Sequence, residues 1–338
     1  ASDVYKRQPE DCKAQLVVLP FTETAKSLGT TLMKNMVAIG ATAALMDLNT
    51  DTFEALITNM FEKKGEKVVE LNIQALNEGY RIMQDELAGI QGDFMLEESA
   101  GTPHLYMIGN DAIGLGAISG GSRFMAAYPI TPASEIMEYM IENLPKVGGT
   151  VIQTEDEIAA ATMAIGANYG GVRAFTASAG PGLSLMMEAI GLSGMTETPL
   201  VIMNTQRGGP STGLPTKQEQ SDLMQMIYGT HGDIPKIVVA PTDAEDAFYL
   251  TVEAFNLAEE YQCPVILLSD LQLSLGKQTV KNLDHSKIEI QRGSTIAEDI
   301  ERDPEDKGYF KRYALTESGV SPRPIPGVKG CLLYTSDA

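Results

Sequence analysis

The chain has 338 residues, of which 43% are hydrophobic, and its 25 basic against 45 acidic side chains give a formal net charge of −20. Non-specific nucleic-acid binding requires clustered Lys and Arg, so this charge excludes nucleic acid as an expected partner. No apolar run approaches the roughly 20 residues that span a bilayer, and no secretory signal opens the sequence. We therefore expect no membrane association and a cytoplasmic location.

The three cysteines, Cys12, Cys263 and Cys331, are isolated in the sequence. They form no CxxC pair, so the sequence predicts no disulfide framework and no zinc or iron–sulfur site, and we assign no metal ligands. If the protein transfers electrons, we expect the cluster on another chain.

Both ends differ in character from the rest of the chain. Residues 1–8 (ASDVYKRQ) and 331–338 (CLLYTSDA) resemble translated sequencing-adapter sequence, and we leave them out of the fold prediction. Ordinary frayed termini are the alternative. We expect residues 9–330 to be an internal fragment of a longer protein.

The first block of the chain, residues 9–88, has the pattern of the end of an α/β domain. An apolar strand is predicted within residues 11–19, and the apolar spacing predicts helices over 31–48, 52–61 and 67–83. Residues 89–107 mix acidic residues with Gly and Ser and are predicted to form a linker.

The second block, residues 108–285, alternates strands with helices. The predicted strands are 151–153, 173–176, 200–203, 236–239 and 265–268, and the predicted helices are 157–168, 181–192, 217–227 and 243–260. This alternation predicts an α/β fold with a parallel sheet and helices on both faces. Ligands of such sheets bind in the loops beyond the carboxyl ends of the strands. Residues 286–330 are polar and are predicted to be a solvated connector to a missing domain.

The motif Tyr128-Pro129-Ile130-Thr131-Pro132 places a threonine between two prolines. Proline fixes its own φ and restricts the residue before it, so we expect Thr131 to be extended with its hydroxyl held in one direction. A helix is predicted to begin at about residues 132–134, where backbone N–H groups favour an anion. An ordinary helix cap is the alternative.

The segment Thr154-Glu155-Asp156-Glu157 precedes a run of alanines. One interpretation is a capping box in which Thr154 is the N-cap and Glu157 lies three residues later. The other is a functional carboxylate at the start of a helix whose small side chains let a flat cofactor ring approach.

Two further loops are rich in glycine. Ser178-Ala-Gly180-Pro-Gly182 lies between a strand and a helix, where glycine permits either close ligand approach or a tight turn. The loop from Arg207 to Lys217 (RGGPSTGLPTK) has a basic residue at each end. A guanidinium can hold a carboxylate with two parallel hydrogen bonds, which favours a functional interpretation of this loop.

The segment Gly114-Leu-Gly116-Ala-Ile-Ser-Gly120 approximates a dinucleotide-binding fingerprint, but its third glycine comes one residue too late. We predict instead a helix that packs tightly against the sheet.

The three histidines are scattered in the sequence, and no Ser/His/Asp set is visible. The sequence therefore gives no support for a hydrolase.

The sequence resembles the alpha subunit of 2-oxoacid:ferredoxin oxidoreductases in the order and spacing of four motifs: YPITP, TEDEIAAA, TASAGPG and RGGPSTGLPTK. The resemblance is greatest to the 2-oxoglutarate type, in which a gamma domain is fused ahead of alpha. The resemblance covers roughly residues 9–330. It implies that residues 9–88 are the C-terminal part of the gamma-type domain and that residues 108–285 are the pyrimidine-binding domain of a thiamine enzyme.

The resemblance also implies roles for individual residues. Glu157 would be the catalytic carboxyl against the pyrimidine ring of thiamine diphosphate, where it favours the tautomer that removes the thiazolium proton. Thr131, Arg207 and Thr216 would bind the 2-oxo acid, with Arg207 on its carboxylate. The remaining expected cofactor-binding residues are Tyr128, Pro129, Ser178, Gly180 and Gly182.

The activity implied by the resemblance is oxidative decarboxylation of a 2-oxo acid, 2-oxoglutarate by expectation, with coenzyme A as co-substrate and ferredoxin as electron acceptor. A beta subunit would share the thiamine diphosphate and carry the magnesium ion and a [4Fe-4S] cluster, in an (alpha-beta)2 assembly. A dinucleotide-binding module and a non-catalytic thiamine-fold scaffold are the alternatives.

Overall fold

The computed structural model describes residues 17–87, 96, 103–300 and 310–331, which fall into two compact units divided between residues 102 and 103. This division lies within the predicted linker, residues 89–107. The two end segments, 1–8 and 332–338, lie outside the described residues, as do Cys12 and residues 11–16 of the first predicted strand. Residues 17–19 of that strand are not in a strand.

The first unit is helical where it is described. Its helices are α1 (Phe21–Ser27), α2 (Lys34–Leu45), α3 (Asp51–Phe61) and α4 (Glu66–Glu86). The last three confirm the predicted helices. Two glycines bring α2 and α4 into backbone contact, because a Cβ atom on Gly40 would overlap the carbonyl of Leu76 and one on Gly79 would overlap the carbonyl of Val37.

The second unit is built on a six-stranded parallel sheet with strand order β3-β2-β4-β5-β7-β6. The strands are β2 (Phe124–Ala127), β3 (Thr150–Gln153), β4 (Ala174–Ser178), β5 (Leu200–Gln206), β6 (Ile237–Val239) and β7 (Pro264–Asp270). Five of these confirm the predicted strands, and β2 was not predicted. An additional strand, β1 (Leu105–Ile108), pairs antiparallel with β8 (Lys277–Val280), and the short strands β9 (Thr295–Ile296) and β10 (Arg323–Pro324) pair with each other.

Helices connect the strands and cover both faces of the sheet, as predicted. They are α5 (Gly109–Ser119), α6 (Ser134–Asn143), α7 (Glu157–Tyr169), α8 (Gly180–Met195), α9 (Leu223–Tyr228), α10 (Ala244–Tyr261) and α11 (Leu271–Leu275). The predicted helix 217–227 is wrong in its first half, because side chains near its start bond to the sheet instead: Gln220 donates to Asp270.

Alternating residues of the central strands divide the core into two layers. In β5, Val201 and Met203 join the cluster under α5, α6 and α10, whereas Leu200 and Ile202 join the cluster under α7, α8 and α9. Successive strand residues point to opposite faces, so near-continuous apolar runs are what a sheet covered on both sides requires. No helix in the described part of the chain is long and apolar enough to cross a membrane.

The glycine segment that approximates a dinucleotide fingerprint lies inside α5, not in a loop. A Cβ atom on Gly114 would come within 2.5 Å of the Tyr139 ring, and one on Gly116 would overlap the backbone of Phe248. The predicted helix and its tight packing are therefore confirmed, but these glycines pack against α6 and α10, where the prediction had the sheet. The glycines face protein where a dinucleotide would need open backbone.

Candidate active site

Four motifs meet at one edge of the sheet because they follow neighbouring parallel strands. The carboxyl end of β3 leads into residues 154–157, that of β2 into 128–132, that of β4 into 179–182, and that of β5 into 207–217. In a parallel sheet these ends share an edge, so the chain collects its candidate residues in the place where such folds bind ligands.

Glu157 is the first residue of α7, and its side chain is buried at 6% exposure. The capping-box interpretation is wrong: the N-cap is Asp156, whose carboxylate accepts from Ala159 N–H at 2.7 Å, while the Thr154 hydroxyl donates to Asp156 O. An aspartate one residue ahead of the helix reaches the free N–H groups directly. The Glu157 carboxyl is consequently left without a hydrogen bond or ion pair in the described part of the chain.

Ser178 and Gly182 form a cradle around Glu157. A Cβ atom on Gly182 would overlap the Ser178 hydroxyl oxygen and come within 2.7 Å of Glu157 Oε1. The Ser178 hydroxyl is fully buried and makes no hydrogen bond among the described residues. A buried carboxyl and hydroxyl without partners are costly unless a bound group completes their hydrogen bonds, so this cluster fits the polar edge of a cofactor ring.

The Tyr128–Pro132 motif forms a turn ahead of α6. The Thr131–Pro132 peptide bond is cis, and Ala133 N–H donates to Ile130 O at 2.8 Å. The helix begins at Ser134, as predicted, but its N-cap is Ala133 and carries no side-chain cap, so the alternative role of Thr131 as a helix cap is wrong. Thr131 and Tyr128 are exposed, and Pro129 is half-buried.

Arg207 joins this turn to the glycine-rich loop. Its Nη1 donates to Thr131 O and its Nη2 to Thr212 O, both at 2.6 Å. The side chain is buried at 5% exposure, and its Nε–H finds no acceptor in the described structure. Burial away from water lowers the pKa of the guanidinium from its usual value. Arg207 is thus a desolvated cation that has a free donor and no acidic partner among the residues that the structure describes.

A cleft of about 450 Å³ separates the start of α8 from the glycine-rich loop. Its lining residues are Gly180, Pro181, Ser184, Leu185, Arg207, Gly208, Gly209, Pro210, Ser211, Thr212, Ser221, Asp222 and Gln225. Of the predicted residues, Gly180 and Arg207 meet here, and Thr131 joins them through its carbonyl. Thr216 is exposed and does not line the cleft. No cluster of three metal-ligating side chains occurs within the described ranges.

Sequence reasoning missed Asp222, which is buried at 7% exposure and lines the cleft. Asn204 Nδ2 donates to Asp222 Oδ2 at 3.1 Å, and burial raises the pKa of the Asp222 carboxyl. The only sequence signal was an acidic residue soon after the glycine-rich loop, within the segment predicted as helix.

The chain matches known proteins over both units. Residues 115–315 match the family described as "Pyruvate flavodoxin/ferredoxin oxidoreductase, thiamine diP-bdg", and residues 2–82 match "Pyruvate ferredoxin/flavodoxin oxidoreductase". The 2-oxoglutarate synthase subunit KorA of Methanothermobacter thermautotrophicus is 46% identical over 226 residues, which cover 67% of this chain and 58% of that protein. The 2-oxoacid:ferredoxin oxidoreductase 1 subunit alpha of Sulfurisphaera tokodaii is 39% identical over 320 residues, covering 90% and 48% respectively.

A solved structure shows the same fold. The 2-oxoglutarate:ferredoxin oxidoreductase from Magnetococcus marinus, with 2-oxoglutarate, coenzyme A and succinyl-CoA bound, superposes with a TM-score of 0.82 at 41% sequence identity, over 93% of this chain and 53% of that one. This chain spans about half the length of the curated relatives that it matches.

Proposed function

Because the chain belongs to the pyruvate flavodoxin/ferredoxin oxidoreductase family, we propose that it forms the substrate-holding half of a 2-oxoacid:ferredoxin oxidoreductase. The reaction oxidises a 2-oxo acid to an acyl-CoA and CO2 and passes two electrons to ferredoxin. The observation that carries the proposal is the buried, unpartnered Glu157 carboxyl in the cradle of Ser178 and Gly182.

Thiamine diphosphate would supply the carbanion and electron-sink chemistry of the reaction. Glu157 fits its pyrimidine edge, because the residue is 6% exposed, its carboxyl makes no hydrogen bond among the described residues, and it starts a helix with small side chains. At this position Glu157 would hold a proton at the ring nitrogen. Ser178 offers a hydroxyl beside it, and Gly180 and Gly182 leave room for close approach.

Arg207 would orient the carboxylate of the 2-oxo acid through its free Nε–H and the remaining Nη hydrogens. Thr131, tied to Arg207 through its carbonyl, would contact the substrate from the Tyr128–Pro132 turn, with Tyr128 and Pro129 beside it. Thr216 is exposed on the far part of the loop, so its contact requires the loop to fold over the substrate.

The partners follow from the same proposal. A beta subunit would share the thiamine diphosphate and carry magnesium and a [4Fe-4S] cluster in an (alpha-beta)2 assembly, with ferredoxin and coenzyme A as co-substrates. The names and bound molecules of the relatives favour 2-oxoglutarate as the 2-oxo acid.

Residues 9–88 would be the end of a gamma-type domain. The cytoplasmic location stays a prediction that rests on composition.

The test is Glu157→Gln in the full-length protein purified with its partner subunit. Reduction of a viologen dye or ferredoxin by 2-oxo acid and coenzyme A should fall at least about 100-fold, the range expected for loss of a positioned acid–base group. Glu155→Gln is the matched control, because Glu155 is a nearby carboxylate that is exposed. Unchanged turnover in Glu157→Gln would favour a scaffold role and overturn the assignment.

A further inference from the structure

The cleft between α8 and the glycine-rich loop contains one basic and one acidic lining side chain among its described residues, Arg207 and Asp222. They form no ion pair with each other, and neither has an oppositely charged partner in the described structure. A cleft with two separate unpaired charges can favour an anionic group at one position and disfavour it at another.

Asp222 is held in place by the end of β5. Its Oδ2 accepts from Asn204 Nδ2 at 3.1 Å, and its backbone N–H donates to Gln206 Oε1 at 2.9 Å. Gln206 in turn donates from Nε2 to Ser269 O at 3.2 Å, which anchors the arrangement to β7. The carboxyl is therefore fixed by the sheet, and its position does not depend on the loop's conformation.

The other oxygen, Oδ1, accepts no hydrogen bond in the described part of the chain and lies against the first residue of α8. A Cβ atom on Gly180 would come within 2.9 Å of it, so glycine is needed at this contact. The start of a 16-residue helix attracts anions through its free N–H groups and its dipole. Here the chain places its own carboxylate beside the first residue of that helix, without a hydrogen bond from an α8 N–H group among the described residues.

We propose that Asp222 is a specificity-determining residue of the cleft: its carboxylate lies against the first residue of α8, directs the anionic group of the substrate to Arg207, and disfavours a second anionic group beside α8. This inference rests on the proposed 2-oxo acid reaction. It predicts that Asp222 limits how well dicarboxylic 2-oxo acids compete with monocarboxylic ones.

The experiment compares kcat/KM for 2-oxoglutarate, which has two carboxylates, and pyruvate, which has one. Wild type, Asp222→Asn and Glu219→Gln are measured in the full-length protein with its partner subunit. Asparagine keeps an acceptor for Asn204 and removes the charge, so the ratio of 2-oxoglutarate to pyruvate should rise about tenfold, the scale of a like-charge contact near a protein surface. Glu219→Gln removes an exposed charge just after the glycine-rich loop, keeps an oxygen that can accept from Gly209 N–H, and should leave the ratio unchanged.

A ratio within twofold of wild type in a folded Asp222→Asn protein, or a shift toward pyruvate, overturns the inference. Asp222→Ser, which removes the charge with a smaller side chain, must shift the ratio in the same direction. If neither variant folds, Asp222 is a structural residue and the inference is overturned. A wild-type complex that turns over neither acid overturns the proposed function and this inference together, whereas an active wild type with an unchanged ratio in the variants overturns this inference alone.

Discussion

At the scale of single residues, Arg207 combines two tasks that are usually separate. Its Nη groups bond the carbonyls of Thr131 and Thr212, which lie on different connections of the sheet, while its Nε–H has no acceptor among the described residues. The same guanidinium therefore fixes the geometry of the cleft and keeps a donor for a ligand. When Arg207 is replaced, a loss of stability must therefore be separated from a loss of substrate binding.

We expect Arg207→Ala to raise KM for the 2-oxo acid at least tenfold, since a hydrogen bond to a charged group contributes about 1.5–3 kcal/mol. Steady-state kinetics and a thermal unfolding curve, measured on the same preparation, separate binding from stability. Lys217→Ala is the control, because Lys217 ends the same loop but is exposed and does not line the cleft. An unaltered KM would remove Arg207 from the carboxylate site.

Sequence patterns located the candidate residues but not their partners. Glu157, Ser178 and Gly182 could be placed near one another once the strands were predicted to be parallel, because each follows the carboxyl end of a strand. The bonds from Arg207 to Thr131 and from Asn204 to Asp222 join positions 76 and 18 residues apart. Such contacts depend on strand order and loop path, which local periodicity does not encode.

At the scale of elements, helical glycines differ by what surrounds them. Gly116 in α5 faces the backbone of Phe248 in α10, whereas Gly166 in α7 has nothing within 4 Å of the position a Cβ would take. We expect Gly116→Ala to lower the free energy of unfolding by about 1–3 kcal/mol through overpacking. Gly166→Ala should raise it by up to about 1 kcal/mol through helix propensity.

Denaturant unfolding of the two variants measures both effects. Equal changes of the same sign would show that α5 and α10 do not pack through Gly116 as the structure describes. The pair is matched in substitution and in helical context, so the difference between them reports the contact with α10.

Short elements were the hardest to predict. β2 reads Phe-Met-Ala-Ala over residues 124–127, and a four-residue apolar run with two alanines fits a helix as well as a strand. β1 lies largely within the segment predicted as a linker, because its pairing with β8 outside the main sheet depends on a partner more than 160 residues away. The long helices and the buried strands β5 and β7 were predictable because their apolar periods extend over more residues.

At the scale of the whole molecule, a buried ionic network holds the last described segment, residues 310–331, to the helices of the second unit. Glu259 pairs with Arg173 at 2.8 Å, Arg292 at 3.1 Å and Arg323 at 3.4 Å, and only Arg292 is substantially exposed. Arg312 bonds Glu197 and Gln262. The prediction of a solvated connector over residues 286–330 is therefore wrong for Arg312 and Arg323, because both are buried against partners that composition alone could not identify. Arg292 is partly exposed but is paired with Glu259.

Stability should also depend on pH through Cys263, which is buried at 1% exposure between α10 and β7. Burial raises the pKa of its thiol from 9.0 to about 11. The folded state holds the proton more tightly, so this contribution is complete below pH 9 and is lost as pH rises through 11. At about 1.4 kcal/mol per pKa unit, the loss is roughly 2–3 kcal/mol.

Urea unfolding of wild type and Cys263→Ala across this pH window checks the expectation. The wild type should lose more of its free energy of unfolding than the variant over the same range, because only the wild type carries the thiol. Parallel pH profiles would contradict the expected contribution of Cys263.

The antiparallel ribbon of β1 and β8 lies where the chain enters the six-stranded sheet and where it leaves that sheet. In the ribbon, Leu105 lies opposite Val280 and Ile108 lies opposite Lys277. A force on the chain before Leu105 meets this ribbon before it reaches the parallel strands, whereas a force on the chain after Val280 meets the Glu259 network. A segment joined before the ribbon can therefore differ in length with little strain on the parallel strands.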